Sequence, residues 1–201
     1  MKLNLLEFTA VNSPIRKFIQ SQIEIKGFLG VPNYIKGGKV LEIGCGSGYG
    51  ATLIDRYFAP KEIIGIDMDE KMIRLANKQK LPNTSFKVGN ATKLNFKNSS
   101  FDGIFIFVVL HHIPNWKKAL DEFYRVLKKG GQIFIEDASY ETFSTPIGRL
   151  IKMFTDHPYD SMYKRDEFFN YLEELGFKTI KKQVYKPYDL TSRFVFIGVK
   201  Q

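Results

Sequence analysis

The sequence predicts an α/β protein with a mostly parallel sheet wrapped by helices. From Lys39 onward, short apolar or β-branched runs alternate with helical patterns, the arrangement of sheets whose parallel strands are joined by helices. Most of the runs are dense in Val, Ile and Phe without clean alternation, as expected of strands covered on both faces. A glycine cluster directly after the first run marks a tight passage from strand to helix.

In chain order, the predicted strands are Lys39 to Ile43, Glu62 to Ile66, Ser85 to Val88, Gly103 to Phe107 and Gln132 to Glu136. Helices are predicted near Ala51 to Phe58, Glu70 to Lys78 and Trp116 to Leu127, the last with Ala119, Leu120, Phe123, Val126 and Leu127 on one face. Asp69 and Asn115 stand where N-caps belong. Upstream, Leu3 to Leu29 reads as helical with a break at Ser13-Pro14, a cap for the carboxyl edge of the sheet. Residues 138–165 form an aromatic and polar stretch with Pro146 and Pro158 and no sustained period, long enough for an insertion that receives a substrate. An amphipathic helix over Asp166 to Leu175 then ends at Gly176. Two late runs, Phe177 to Tyr185 and Ser192 to Val199, flank the turn-rich Lys186 to Asp189 and suit an antiparallel pair at the sheet edge.

A length of 201 residues fits one domain, here 1–201. Its 44% hydrophobic and 25% charged content excludes disordered and fibrous classes. The longest apolar stretch, Ile104 to Leu110, is far short of the roughly 20 residues that span a bilayer. The polar start lacks a signal-peptide core, so a soluble, cytoplasmic protein is expected. A single cysteine, Cys45, makes neither an internal disulfide nor a zinc site by itself, and no metal is expected. The net charge of +9 raises nucleic acid as a partner. However, the basic residues are scattered lysines in pairs such as Lys117-Lys118, Lys128-Lys129 and Lys181-Lys182, with no arginine-rich tract. That pattern reads as a solvated surface. The oligomeric state is left open.

The chemistry centres on Val40 to Gly50, where an apolar strand runs into Gly44, Gly46, Gly48 and Gly50 and then into a helix. Such a loop lets backbone approach a nucleotide-like ligand closely. The glycines alone do not choose that ligand, since Gly46, Gly48 and Ala51 also satisfy the dinucleotide pattern. Glu42, two residues before the first glycine, would repel a diphosphate and welcome an ammonium. Asp67 ends the next strand about 20 residues beyond the loop, where an acidic side chain accepts both hydroxyls of a ribose.

Six segments, Val40 to Gly48, Gly65 to Asp69, Val88 to Thr92, Ser100 to Ile104, Leu110 to Ile113 and Tyr124 to Gly131, together resemble the class I S-adenosylmethionine-dependent methyltransferases. The likeness is to the small type 11 group that includes ubiquinone- and menaquinone-methyltransferase-like proteins. It covers Lys39 to Asp137 strongly and the last helix and hairpin loosely. The resemblance implies a Rossmann-like three-layer sandwich with a seven-stranded, mostly parallel sheet whose last strand is antiparallel. It also implies S-adenosylmethionine as cofactor and S-adenosylhomocysteine as product; a small-molecule methyl acceptor is expected because the sequence shows no added macromolecule-binding domain.

Carried over by position, Glu42 and the loop Gly44, Cys45, Gly46 and Gly48 would hold the methionine moiety, Asp67 the ribose, and Met68 the adenine face. Asn90, where the family usually has an acid, would accept from the adenine amino group through its amide oxygen, beside Ala91. Phe107 would sit beside the sulfonium. Methyl transfer from a sulfonium mainly needs alignment and exclusion of water. Where the acceptor must lose a proton, His111 or His112 is the candidate base, although the resemblance places His112 in the cofactor pocket. Tyr140, His157, Tyr159 and Tyr163 are candidates for the acceptor pocket, and Asp102 for ordering adjacent backbone. The rival readings are an NAD-dependent oxidoreductase, a non-catalytic S-adenosylmethionine-binding protein, and a methyltransferase acting on RNA or protein.

Overall fold

The computed structural model describes residues 5–155, 157–186 and 192–201, with only the backbone for 5–7. Its centre is a seven-stranded sheet of β1 (Lys39–Ile43), β2 (Glu62–Asp67), β3 (Thr84–Val88), β4 (Phe101–Phe107), β5 (Leu127–Ala138), β6 (Phe177–Tyr185) and β7 (Arg193–Lys200). The spatial order is β3-β2-β1-β4-β5-β7-β6. Strands β1 to β5 are parallel to their neighbours, and β7 runs antiparallel to both β5 and β6. The late hairpin therefore closes one edge as expected, although Pro187 to Asp189 of its predicted turn lie outside the described residues.

Alternate side chains of each central strand enter opposite cores. Ile104 and Ile106 of β4 and Ile133 and Ile135 of β5 pack with α6 (Trp116–Val126) and α9 (Arg165–Glu174). Phe105, Phe107 and Phe134 face the other way, toward α4 (Tyr49–Phe58) and α5 (Glu70–Ala76). The Phe105 and Phe134 rings stack there with centroids 4.5 Å apart, and Phe28 packs edge-on against Phe134. Because both faces are covered, the strands carry no polar face, and the result is three layers.

Ahead of the sheet lie α1 (Leu5–Val11), α2 (Pro14–Ile19), a π-helical turn over Gln20–Glu24 and α3 (Ile25–Gly27). The break falls at Asn12-Ser13, where the Ser13 side chain accepts from the Arg16 amide and Pro14 opens α2. Asp69 caps α5 by accepting from the Lys71 amide at 2.8 Å. Asn115 occupies the N-cap of α6 as expected, its carbonyl accepting from the Ala119 amide at 3.2 Å, although its side chain makes no capping bond. Helix α6 stops one residue early because Leu127 turns to extended backbone and pairs with Phe101 across a bulge. Residues 138–165 contain α7 (Tyr140–Ser144), α8 (Pro146–Lys152) and a 3-10 turn at Tyr159–Ser161. Asp102 accepts from the Lys39 amide and pairs with Lys128, tying β4 to the start of β1. Among the described residues, no helix is long and apolar enough to cross a membrane.

Candidate functional site

Strand β1 lies between β2 and β4, and at such a reversal of strand order the loops leaving the carboxyl ends diverge and open a crevice. A cavity of about 450 Å³ occupies that position, walled by the ends of β1, β2 and β4, the loop after β3, and the N-terminal helices. Its lining includes Glu42, Gly44, Cys45, Gly46, Asp67, Met68, Asn90, Ala91, Phe107 and His112. Ten candidate residues scattered over the sequence from 42 to 112 are thus brought to one wall.

Left-handed backbone shapes the glycine loop. Gly46 has φ +51°, and a Cβ there would meet no protein atom within 4 Å; since Gly46 lines the cavity, its bare Cα leaves room for a ligand. Gly48 has a different task. It has φ +85° and its Cβ would lie 2.9 Å from the Phe86 ring. It is absent from the cavity wall, so it seats α4 against β3 and does not face a cofactor, contrary to expectation.

Glu42 is 2% exposed. Its Oε1 packs so closely on the first turn of α4 that a Cβ at Gly50 would stand 1.9 Å away, and the Gln20 amide closes over the same point. Oε2 is buried with no hydrogen-bond partner. Burial, and secondarily the Asp67 charge, push the Glu42 carboxyl up from 4.5 to about 8, although a backbone hydrogen bond from Ala51 opposes this. An unpaired carboxylate at the cavity wall is a receptor for a cationic group.

Asp67 serves as a clamp. Its Oδ2 accepts from the Gly46 amide at 3.0 Å and its Oδ1 from the Asp69 amide at 2.9 Å, fastening the glycine loop to the end of β2. Each oxygen keeps a second lone pair for a hydroxyl donor. Burial raises its carboxyl despite those two bonds. The Cys45 thiol is pushed well up by burial and by the Glu42 and Asp67 charges, which makes it an unreactive wall atom. The orphaned Glu42 oxygen, the open face of Gly46 and the clamped Asp67 fit the aminoacyl and ribose parts of S-adenosylmethionine.

Several candidates are placed otherwise. The Asn90 amide oxygen accepts from both the Thr92 amide and hydroxyl at 2.9 Å; with both lone pairs used, it has none for an adenine amino group. Asn90 borders the cavity in an Asx turn. His111 is off the cavity wall. It is 4% exposed, with Nδ1 2.5 Å from Asp137 Oδ1, so His112 is the histidine within reach of a ligand. Burial holds the His112 imidazole well below its ordinary range, with His111 and His157 adding to the effect. Tyr163 is not an acceptor-pocket residue: it is 1% exposed, stacked on Phe168 at 4.4 Å in the core. Its hydroxyl is buried beside Asp137. Tyr140 and Tyr159 also lie off the cavity wall, Tyr140 half-exposed and Tyr159 packed on Phe143 and bonded to Thr155.

Other residues complete the wall. Arg16, Lys17 and Gln20 line it from the N-terminal helices, side chains that the sequence does not single out. Val108 also lines it, with φ +57°, a strained setting for a β-branched residue that its amide bond to the Glu136 carbonyl at 2.7 Å helps to hold. Arg16 pairs with buried Glu24 at 2.9 Å. Arg193 bridges Glu24 and Glu136 at 2.9 and 3.3 Å, and the Tyr185 hydroxyl donates to Glu136.

Fold and cavity define an open α/β protein with a cofactor site at the strand-order reversal. Residues 41–135 match the family described as "Methyltransferase domain". A demethylmenaquinone methyltransferase of Staphylococcus epidermidis is 30% identical over 179 residues, covering 86% of this chain and 74% of that protein. A phthiotriol/phenolphthiotriol dimycocerosates methyltransferase of Mycobacterium leprae is 35% identical over 104 residues, 51% of this chain. The match spans only 38% of that relative's length. The crystal structure of an S-adenosylmethionine-dependent methyltransferase from Aquifex aeolicus superimposes with a TM-score of 0.74 at 20% identity over the whole of both chains. The chain belongs to the S-adenosylmethionine-dependent methyltransferases.

Proposed function

We propose that the protein transfers the sulfonium methyl of S-adenosylmethionine to a small-molecule acceptor. The observation that carries this reading is the pairing of Glu42, buried with Oε2 unpartnered, with a glycine loop that Asp67 clamps open on the same cavity. When bound, S-adenosylmethionine supplies an already activated methyl group. Glu42 receives its ammonium, the second lone pairs of Asp67 receive ribose hydroxyls, and Met68 and Ala91 flank the base. Phe107, which lines the cavity, would flank the sulfonium. The Arg16, Lys17 and Gln20 side chains close the cavity from above and exclude water. His112, kept neutral by burial, lines the cavity where an acceptor would sit.

A small acceptor is favoured over a polymer by two features. One lysine of each surface pair is already engaged in an ion pair, Lys117 with Glu167, Lys128 with Asp102 and Lys182 with Glu173. The relatives named above are called after demethylmenaquinone and phthiotriol dimycocerosates, both small molecules and not polymers, which supports a small acceptor. The test is side-by-side calorimetric titration with S-adenosylmethionine, S-adenosylhomocysteine and NAD, followed by assays for S-adenosylhomocysteine release with candidate acceptors. Binding of the first two without NAD, and release with a small-molecule acceptor, is expected. NAD binding alone would replace the reading with an oxidoreductase, and cofactor binding without turnover on any acceptor would leave a binding protein.

A further inference from the structure

The chain has three histidines, and all three meet at one point. The 3-10 turn Leu110–His112 presents His111 and His112 side by side, and His157 reaches them from the segment after α8. Ring centroids lie 4.1 Å apart for 111 and 112, 4.3 Å for 112 and 157, and 5.2 Å for 111 and 157. One ring nitrogen from each lies within 4.8 Å of the others.

We propose that His111, His112 and His157 form a binding site for a divalent transition-metal ion of the zinc class, with a fourth coordination position left for an oxygen ligand. Three protein ligands and one open position are the set used by reactive zinc sites. Imidazole also suits zinc, cobalt, nickel and copper better than magnesium or calcium, which prefer oxygen. Asp137 supplies the supporting carboxylate. Its Oδ1 takes His111 Nδ1 at 2.5 Å and the Ala138 amide at 2.7 Å, and its Oδ2 takes the His111 amide at 3.3 Å. This fixes the ring and leaves Nε2 as the His111 ligand atom, the carboxylate–histidine–metal relay that orients ligands in metal centres. His112 Nδ1 is buried without a hydrogen-bond partner, a state that coordination of the ring would compensate. His112 and His157 are half-buried residues, while His112 Nδ1 and both His157 ring nitrogens are buried, so the site would be enclosed and an ion would enter it as the side chains move. Phe143 packs on both His111 and His157 and forms an apolar wall. His112 also lines the cavity, so the ion would border it. The site stands on the histidines alone and is independent of whether the chain transfers methyl groups.

The test uses the full chain without a histidine tag, stripped with chelator and desalted. It is titrated with Zn²⁺ by calorimetry and with Co²⁺ by visible absorption, with Mg²⁺ as control. One saturable Zn²⁺ site per chain, the intense bands of low-coordinate Co²⁺ and no response to Mg²⁺ are expected. His157→Ala, folded by circular dichroism, should bind Zn²⁺ at least tenfold more weakly, and Asp137→Asn about 10–100-fold more weakly. Absence of saturable Zn²⁺ binding, or unchanged affinity in folded His157→Ala, overturns the proposal even if Asp137→Asn fails to fold.

Discussion

Glu42→Gln separates what the buried carboxyl costs the free protein from what it contributes to the cofactor. Raising a carboxyl from 4.5 to about 8 corresponds to roughly 5 kcal/mol against the ionised form at 1.36 per pH unit. The sign follows from proton counts. Between pH 4.5 and 8 the folded chain holds the Glu42 proton and the unfolded chain has released it, so stability falls as pH rises through that window and levels off above it. The amide of glutamine is neutral throughout. The stability advantage of Glu42→Gln over wild type should therefore grow by on the order of 4 kcal/mol from pH 5 to pH 8.5 in denaturant titrations. Binding moves oppositely. S-adenosylhomocysteine carries the same ammonium, so wild-type affinity should rise about tenfold per pH unit up to about pH 8, with proton release seen in buffers of different ionisation enthalpy. The variant should show a flat profile and, at pH 8.5, affinity about 10–150-fold below wild type, the equivalent of one charge-assisted bond of about 1.5–3 kcal/mol. A stability difference independent of pH would refute the raised Glu42 carboxyl, and equal affinity in both proteins at pH 8.5 would refute the placement of the ammonium at Glu42.

Asp67→Ala should weaken S-adenosylhomocysteine at least tenfold in calorimetry and lower stability by about 1–3 kcal/mol, because the Gly46 and Asp69 amides lose their acceptor; unchanged affinity in a folded variant removes Asp67 from the ribose. Gly46→Ala should cost about 1–2 kcal/mol of stability for its left-handed backbone yet reduce cofactor affinity at least tenfold, since its methyl enters the cavity; loss of stability alone would show that the loop does not face the cofactor. Arg193→Met leaves Glu24 and Glu136 buried without their shared cation and should destabilise by about 3–5 kcal/mol, with much of that recovered when Glu24→Gln and Glu136→Gln are added. Tyr163→Phe should leave turnover unchanged, because the ring is enclosed in the core and lies off the cavity wall; a fall in kcat would return Tyr163 to the acceptor pocket.

Much of this architecture is legible in the sequence, for physical reasons that vary by element. The β4 run reads as a strand with no polar face because Ile104 and Ile106 serve one core and Phe105 and Phe107 the other. The start of β5 is hidden by Lys128-Lys129-Gly130-Gly131, which has turn composition yet continues the strand past the bulge opposite Phe101. At the site, Glu42 and Asp67 are readable because they end strands beside a glycine loop. The Asn90 turn is also written locally, in the Thr two residues on, and outweighs the family position. Neither the core placement of Tyr163 nor the approach of His157 to His111 and His112 has a local signal. Both lie in the stretch without period, where direction is set by contacts such as Tyr163 with Phe168 and His157 with Phe143.

The buried chain of charges from Arg16 through Glu24 and Arg193 to Glu136 has a consequence for the order of events during synthesis. Glu24 and Arg193 are 169 residues apart, whereas the cavity floor comes from residues 42 to 115. On a ribosome the floor emerges well before β7, so Glu24 has only its local partner Arg16 until Arg193 arrives. Arg193 of β7 then ties Glu24 of the N-terminal helices to Glu136 of the sheet. A nascent chain halted before β7 should therefore expose its N-terminal helices to protease, and completing that strand should protect them in a single step.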